Sequence, residues 1–136
     1  SHHSHPYPGI MQMLETLGKN QVNLAVLSNK PDDFTQLFVN KFFSKKMFGQ
    51  VRGNRTGVPR KPDPTAALTI ADFFGSENSE CLMVGDSGVD METGKNAGMT
   101  SLGVSWGFRN RKELMESGAD LVIDHPFELI SHVIDR

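Results

Sequence analysis

Cysteine is almost missing from this chain. Cys81 is the only one in 136 residues, which excludes an intrachain disulfide, and its place in the apolar run Cys81-Leu82-Met83-Val84 predicts a buried, inert thiol. A reducing, cytoplasmic setting is therefore expected. No stretch approaches the roughly 18 consecutive apolar residues of a membrane helix, and no charged-then-apolar signal opens the sequence, so no membrane partner is expected. An excess of either charge is lacking as well. The net charge is −2 and the pI about 6.2, and the basic residues are dispersed apart from Arg52 to Lys61 and Arg109 to Lys112. No nucleic-acid partner is expected from such a balance. Tryptophan occurs once; Trp106 and the nearby Phe108 read as packing residues at a sheet edge. Internal repeats and low-complexity segments are also absent.

What is present reads as one domain over residues 6–136, long enough for a real core. The opening Ser1-His2-His3-Ser4-His5 is polar and precedes any core residue, so a tag or disordered linker over residues 1–5 is preferred to a metal cluster. Ile10, Met13, Leu14 and Leu17 keep the spacing of an amphipathic helix ended at Gly18. Val22 to Leu27 is short and apolar enough for a strand buried on both faces. It stops at Ser28-Asn29-Lys30-Pro31, and Phe34, Leu37, Phe38 and Phe42 then mark the inward face of a second helix, with Pro31 suited to its start. From Phe48 to Pro62, glycines, prolines and basic residues alternate without periodicity, giving a short strand at most and then a loop.

Asp63 as N-cap and Pro64 as first residue open the next helix, with Ala67, Leu68, Ala71 and Phe74 inward. Cys81 to Val84 and Thr100 to Val104 are strands. Lys112 to Ser117 is a brief helix ended at Gly118, Asp120 to Ile123 a last strand, and Phe127, Ile130, Val133 and Ile134 the inward side of a C-terminal helix. His125 and His132 are isolated and read as surface or helix-end residues. Strands alternating with helices imply right-handed crossovers and a parallel sheet, an α/β fold.

The chemistry concentrates at Gly85-Asp86-Ser87-Gly88-Val89-Asp90, where an apolar strand gives way to a helix closed at Gly98. Ligands of open α/β sheets bind beyond the carboxyl ends of the strands. Two carboxylates four residues apart at such an edge suit a hard divalent cation, because Mg²⁺ is held by one or two carboxylates plus phosphate oxygens and waters. They could equally be a cap, Asp86, and a dipole-complementing charge, Asp90. Ser28 and Asn29 either cap a helix or hold an anionic oxygen. Lys61 is either a solvated surface charge or an ammonium reaching across to the carboxylates and a phosphate.

Taken in order, Leu27-Ser28-Asn29-Lys30, Arg60-Lys61-Pro62-Asp63-Pro64 and Gly85-Asp86-Ser87 with Asp90 resemble the haloacid dehalogenase superfamily of hydrolases, in particular its phosphoglycolate phosphatase-like branch. The likeness runs from Pro6 onward and includes Gly103-Val104-Ser105-Trp106-Gly107-Phe108-Arg109 and Gly118-Ala119-Asp120. It implies a Rossmann-like three-layer α/β/α core with a mainly parallel sheet, and a Mg²⁺-dependent phosphatase working on small phosphorylated metabolites through an aspartyl-phosphate. By the same resemblance Ser28 and Asn29 would bind the phosphoryl group, Ser28 and Lys61 would be catalytic, and Asp86 and Asp90 would serve the Mg²⁺, Asp90 in a supporting role.

One part of the family's pattern is absent. No Asp-x-Asp-Gly-Thr run, the carrier of the nucleophile, occurs anywhere, and Asp32-Asp33 does not match because it follows Pro31 inside a helix. The small helical cap of the branch is missing too. The resemblance therefore covers the C-terminal part of a catalytic core whose central N-terminal strand is lacking, and a fragment with little or no activity of its own is expected. Such a core would bring together the strands ending at Leu27 and Val84 or borrow a strand, so strand-complementing self-association is a candidate. The rival reading is a non-catalytic Mg²⁺- or phosphate-binding domain, or a regulatory one that completes another chain's sheet. A phospho-acceptor receiver domain would need its acids, hydroxyl and lysine in a different order.

Overall fold

The computed structural model describes residues 6–107 and 109–134. The expectations for residues 1–5 and for Phe108 lie outside the described residues. Contacts divide the chain into two compact units, one of residues 1–55 with 125–136 and one of residues 56–124. The α/β architecture with parallel strands is present, as two sheets rather than one.

The first unit opens with α1 (Ile10–Lys19), whose Met13 and Leu17 are buried as their spacing predicts. Strand β1 (Ala25–Pro31) begins three residues later than expected and runs on through Ser28 and Asn29. It pairs in parallel with β2 (Gln50–Asn54), Val26 opposite Val51 and Leu27 opposite Arg52, with an irregularity before Pro31 meets Asn54. None of the β1 residues is fully buried, contrary to the strand buried on both faces that its composition suggested. A sheet of two strands leaves each strand with one unpaired edge, so β1 lacks the neighbour that full burial needs.

Helix α2 (Asp32–Phe42) follows directly and corrects a second expectation. Its buried residues are Thr35 and Val39, while Phe34 (53%), Leu37 (71%) and Phe38 (38%) are exposed. The periodicity located a face but not the direction it looks. Polar bonds set that direction. The Asp32 carboxylate accepts the Gly53 N–H at 2.8 Å, Gln36 Nε2 donates to the Val51 carbonyl at 2.7 Å, and Arg55 pairs with Asp32 at 3.1 Å. Both backbone partners belong to β2, so the helix is held with Asp32 and Gln36 toward the sheet and its phenylalanine ridge outward. The unit closes with α6 (Glu128–Val133), which buries Leu129 beside the buried Pro126. Phe127, expected inward, is half exposed.

The second unit is better buried. Helix α3 (Thr65–Phe74) starts one residue later than expected, with the Asp63 carboxylate accepting the Thr65 N–H at 2.8 Å. Strand β3 (Leu82–Gly85) pairs in parallel with β4 (Thr100–Val104), and β4 with β5 (Leu121–Ile123). The central strand β4 buries Ser101, Leu102, Gly103 and Val104. Met91 of α4 (Gly88–Asn96), Leu114 of α5 (Arg111–Glu116), Ala119 and Val122 form one buried cluster. Polar groups inside are satisfied: the Ser101 hydroxyl donates to the Met91 carbonyl at 2.7 Å, and the Thr93 hydroxyl to the Val89 carbonyl at 2.7 Å. Among the described residues no helix is long and apolar enough to cross a membrane.

Candidate active site

The site is assembled at the carboxyl end of β3. There the chain turns at Gly85 and Asp86 into α4, and the turn is fixed by Ser87. Its hydroxyl is the N-cap, accepting the Asp90 N–H at 3.3 Å and donating to Asp90 Oδ2 at 3.0 Å. Ser87 to Asp90 has the spacing of a reciprocal cap, a signal readable in the sequence. The cap role offered to Asp86 therefore belongs to Ser87, and the Asp86 carboxylate is left for other work.

Asp90 is 9% exposed and sits in the first turn of α4. A carboxylate so buried needs a partner of opposite charge. Lys61 is that partner, with its ammonium 2.6 Å from Asp90 Oδ1 and only 11% of its side chain exposed. The solvated-charge reading of Lys61 is thus set aside. Asn96, in the last turn of the same helix, donates to the Pro62 carbonyl at 2.9 Å and ties the Lys61 loop to α4 at a second point. With Lys61 on one oxygen and Ser87 on the other, Asp90 is occupied at both.

Asp86 differs. It is half-buried, and none of the ion pairs among the described residues includes it. Backbone closes on both carboxylates through two glycines. A Cβ at Gly107 would overlap the Asp86 side chain, and one at Gly85 would overlap the carboxylate of Asp90. Sequence reasoning named Gly85 and Gly107 only as parts of motifs; the close approach that requires them is visible only in space. Glu113 was missed altogether: from α5 it accepts the Gly88 N–H at 3.1 Å, covering a donor that the start of α4 would otherwise leave unpaired.

Ser28 and Asn29 belong to the first unit, at the irregular end of β1. The Ser28 hydroxyl accepts the Lys30 N–H at 3.0 Å, a local bond in the strand end rather than a helix cap. Cys81 precedes β3 and is half-buried, not fully buried. Its thiol donates to the Glu77 carbonyl, and burial pushes its pKa up, in keeping with an unreactive sulfur. His125 and His132 are exposed, and His125 Nδ1 accepts the Phe127 N–H. Trp106 is half-buried.

Comparison with known proteins adds the decisive observation. The sequence model of the family described as haloacid dehalogenase-like hydrolase matches residues 1–104. The chain belongs to that family. Among curated relatives of this haloacid dehalogenase-like chain are a phosphoglycolate phosphatase of Pseudomonas syringae pv. syringae (strain B728a), 31% identical over 129 residues, and one of Vibrio parahaemolyticus serotype O3:K6, 33% identical over 130. These alignments take in 95% and 96% of this chain but 47% and 57% of the relatives, so the chain spans about half their length. Among solved structures, a protein from Lactobacillus delbrueckii subsp. bulgaricus assigned as a phosphoglycolate phosphatase superposes with a TM-score of 0.90 at 32% identity, over 97% of this chain and 55% of that one. A hydrolase from Pseudomonas syringae gives 0.83 at 25%, over 96% and 60%.

Mg²⁺ is the metal the family implies, and the donor set fits it. Among the described residues there is no group of three or more His, Cys, Asp or Glu that could hold a metal ion. An all-protein cage is thereby excluded there, whereas Mg²⁺ keeps several waters and takes one or two carboxylates together with substrate phosphate oxygens. Asp86 supplies a half-buried carboxylate that enters no ion pair among the described residues, and the glycine at 107 lets backbone lie close against it.

Proposed function

We propose that this chain carries the phosphate-handling portion of a Mg²⁺-dependent phosphatase of the phosphoglycolate phosphatase-like kind, acting on small phosphorylated metabolites. The observation that carries the reading is the division of labour between the two carboxylates. Asp90 holds Lys61, and Asp86, just past the end of β3, enters no ion pair among the described residues. Asp86 would ligate Mg²⁺ directly, and Asp90 would support it through water.

Phosphoryl transfer asks a protein mainly for positioning and neutralisation of charge. A bound Mg²⁺ offsets the charge on the transferring oxygens as a Lewis acid. Lys61, paired with Asp90, would bring its positive charge to the oxygens of a phosphoryl group. Its loop is anchored by Asn96, so the ammonium is in place before substrate arrives, which is how electrostatic stabilisation becomes effective. Ser28 and Asn29 would add a hydroxyl and an amide to the phosphoryl group. Nothing in the sequence matches the Asp-x-Asp-Gly-Thr run that supplies an attacking carboxylate in the family, so this chain by itself turns over little. The cytoplasm remains the expected compartment on the single cysteine.

Hydrolysis of p-nitrophenyl phosphate with Mg²⁺, followed beside calorimetric titration of Mg²⁺, tests both halves. The expected result is turnover near background and Mg²⁺ binding lost in Asp86→Asn. Robust turnover abolished by Asp86→Ala would overturn the claim that the attacking group is lacking. Mg²⁺ binding that survives Asp86→Asn would overturn the metal assignment. Binding of phosphate and Mg²⁺ without turnover, even when the preceding half of a relative is supplied, would favour the non-catalytic reading.

A further inference from the structure

Two ridges run along the outward side of α2, and together they are complementary to themselves. Phe34, Phe38 and Phe42 follow one another at i, i+4, i+8, with ring centroids 6.4 Å and 4.9 Å apart. Asp33, Leu37 and Lys41 form the ridge beside it at the same spacing, all three exposed. Lys41 lies over the Phe42 ring at 5.3 Å, and neither Asp33 nor Lys41 enters an ion pair among the described residues. Leu37 is the most exposed of the large apolar side chains, at 71%. Single exposed apolar residues need no explanation, but a continuous aromatic and aliphatic stripe marks a contact surface.

We infer that this stripe is where a second copy of the chain docks, α2 against α2, antiparallel about a two-fold axis beside Leu37 and Phe38. A two-fold contact sets residue i against j and j against i. Under that operation Leu37 meets Leu37, Phe38 meets Phe38, and Phe34 meets Phe42. The acidic end of the second ridge, Asp33, meets the basic end, Lys41, twice. The parallel alternative sets Asp33 on Asp33 and Lys41 on Lys41, so the charges choose the antiparallel one. The net charge of −2 leaves little overall repulsion between copies.

The contact is small. Eleven residues make a helix roughly 16 Å long, too short to bury the roughly 800 Å² per partner of a standard interface, so a dimer dissociating at about 100 µM is expected. This inference does not rest on the proposed phosphatase reading, because no residue of the candidate site takes part.

Sedimentation of the whole chain from about 10 µM to about 1 mM in low salt tests it across the expected range. A monomer to dimer transition is expected, and Leu37→Glu, at an exposed position that leaves the fold intact by circular dichroism, should weaken it at least about tenfold by placing two carboxylates at the axis. Asp33→Lys and Lys41→Asp, each alone, should weaken self-association about threefold to tenfold, and an equimolar mixture of the two should associate about as well as the unaltered chain, since the reversed charges then face one another. A chain that stays monomeric throughout overturns the inference. So does a dimer indifferent to Leu37→Glu, which would place the association at a sheet edge. A mixture no tighter than its two components overturns the antiparallel geometry.

Discussion

The two units use the same kind of element to different effect. In the unit of residues 56–124, β4 lies between two strands, is buried along nearly its whole length, and has the Met91 carbonyl on its Ser101 hydroxyl and Leu114 against Gly103. In the other unit, β1 and β2 have only each other and neither holds a fully buried residue. Burial of a parallel strand comes from its neighbours and not from its own composition. Val26 and Leu27 are as apolar as Leu102 and Val104, yet only the latter pair disappears from solvent. The candidate metal and lysine residues stand on the better buried unit, where rigid elements can hold them in place.

The largest expected effect tests that contrast directly. Leu114 is wholly buried, and Leu114→Ala should cost about 2–5 kcal/mol, the lost transfer energy plus the cavity left behind. Val39→Ala, the matching change in the other unit, removes fewer atoms from a helix resting on a two-stranded sheet and should cost about 2 kcal/mol or less. Denaturant unfolding of both variants measures the difference. Equal losses, from the smaller truncation at Val39, would mean that the first unit is packed at least as tightly as the second.

How much of this was legible in the sequence follows the same line. The order of strands and helices and their parallel pairing could be read from apolar runs and punctuating glycines and prolines. Ser28, Lys61, Asp86 and Asp90 were candidates by motif order and family resemblance, and of these the structure pairs Lys61 with Asp90. Element starts drifted by one to three residues: α3 because neighbouring capping residues compete, and β1 because its ladder begins only where Ala25 meets Gln50 at the start of β2. The inward face of α2 was misread. Phe34, Leu37 and Phe38 carry the stronger apolar signal, but Asp32 and Gln36 have backbone partners on β2 that no periodicity discloses. The pairing of Asp90 with Lys61 across 29 residues, the room left by Gly85 and Gly107, and the reach of Glu113 to Gly88 are contacts between elements distant in sequence. Ser87 was legible by its spacing to Asp90 and was passed over in favour of Asp86.

A smaller effect should separate the site from the scaffold beneath it. Gly107→Ala sets a methyl group against the Asp86 Cβ as well as its carboxylate, a clash that side-chain rotation alone does not clear, so stability should fall by about 1–3 kcal/mol and Mg²⁺ affinity should drop with it. Thermal melting and calorimetric titration of the one variant read both quantities. A large loss of stability with unchanged affinity would make Asp86 part of the scaffold. Ser87→Ala removes the cap and one of the two groups on Asp90, and about 1 kcal/mol is expected from the cap. Lys61 remains to hold the other oxygen, so the metal response should be weaker than that of Gly107→Ala.

Acid titration should give the smallest difference, and both units contribute to it. The Gly53 N–H, helped by Gln36 and Arg55, holds the Asp32 carboxyl below its ordinary value of 3.8. Lys95, helped by the Ser101 N–H, does the same for Asp120. A carboxyl depressed in the folded state stabilises the fold above its unfolded pKa, and that contribution is lost as pH falls through the folded value. Stability should therefore be flat above about pH 5 and decline below about pH 4. Asp32→Asn removes one depressed carboxyl from the first unit and Asp120→Asn one from the second, and each should make the acid limb of the curve shallower. Both carboxylates are partly exposed, 22% and 41% by side chain, so each effect is screened by solvent and small. The Asp32 change should be the larger of the two, because its carboxylate is the less exposed and also fixes the rotation of α2. An acid limb unchanged in Asp32→Asn would remove that carboxylate from the forces that turn the phenylalanine ridge outward.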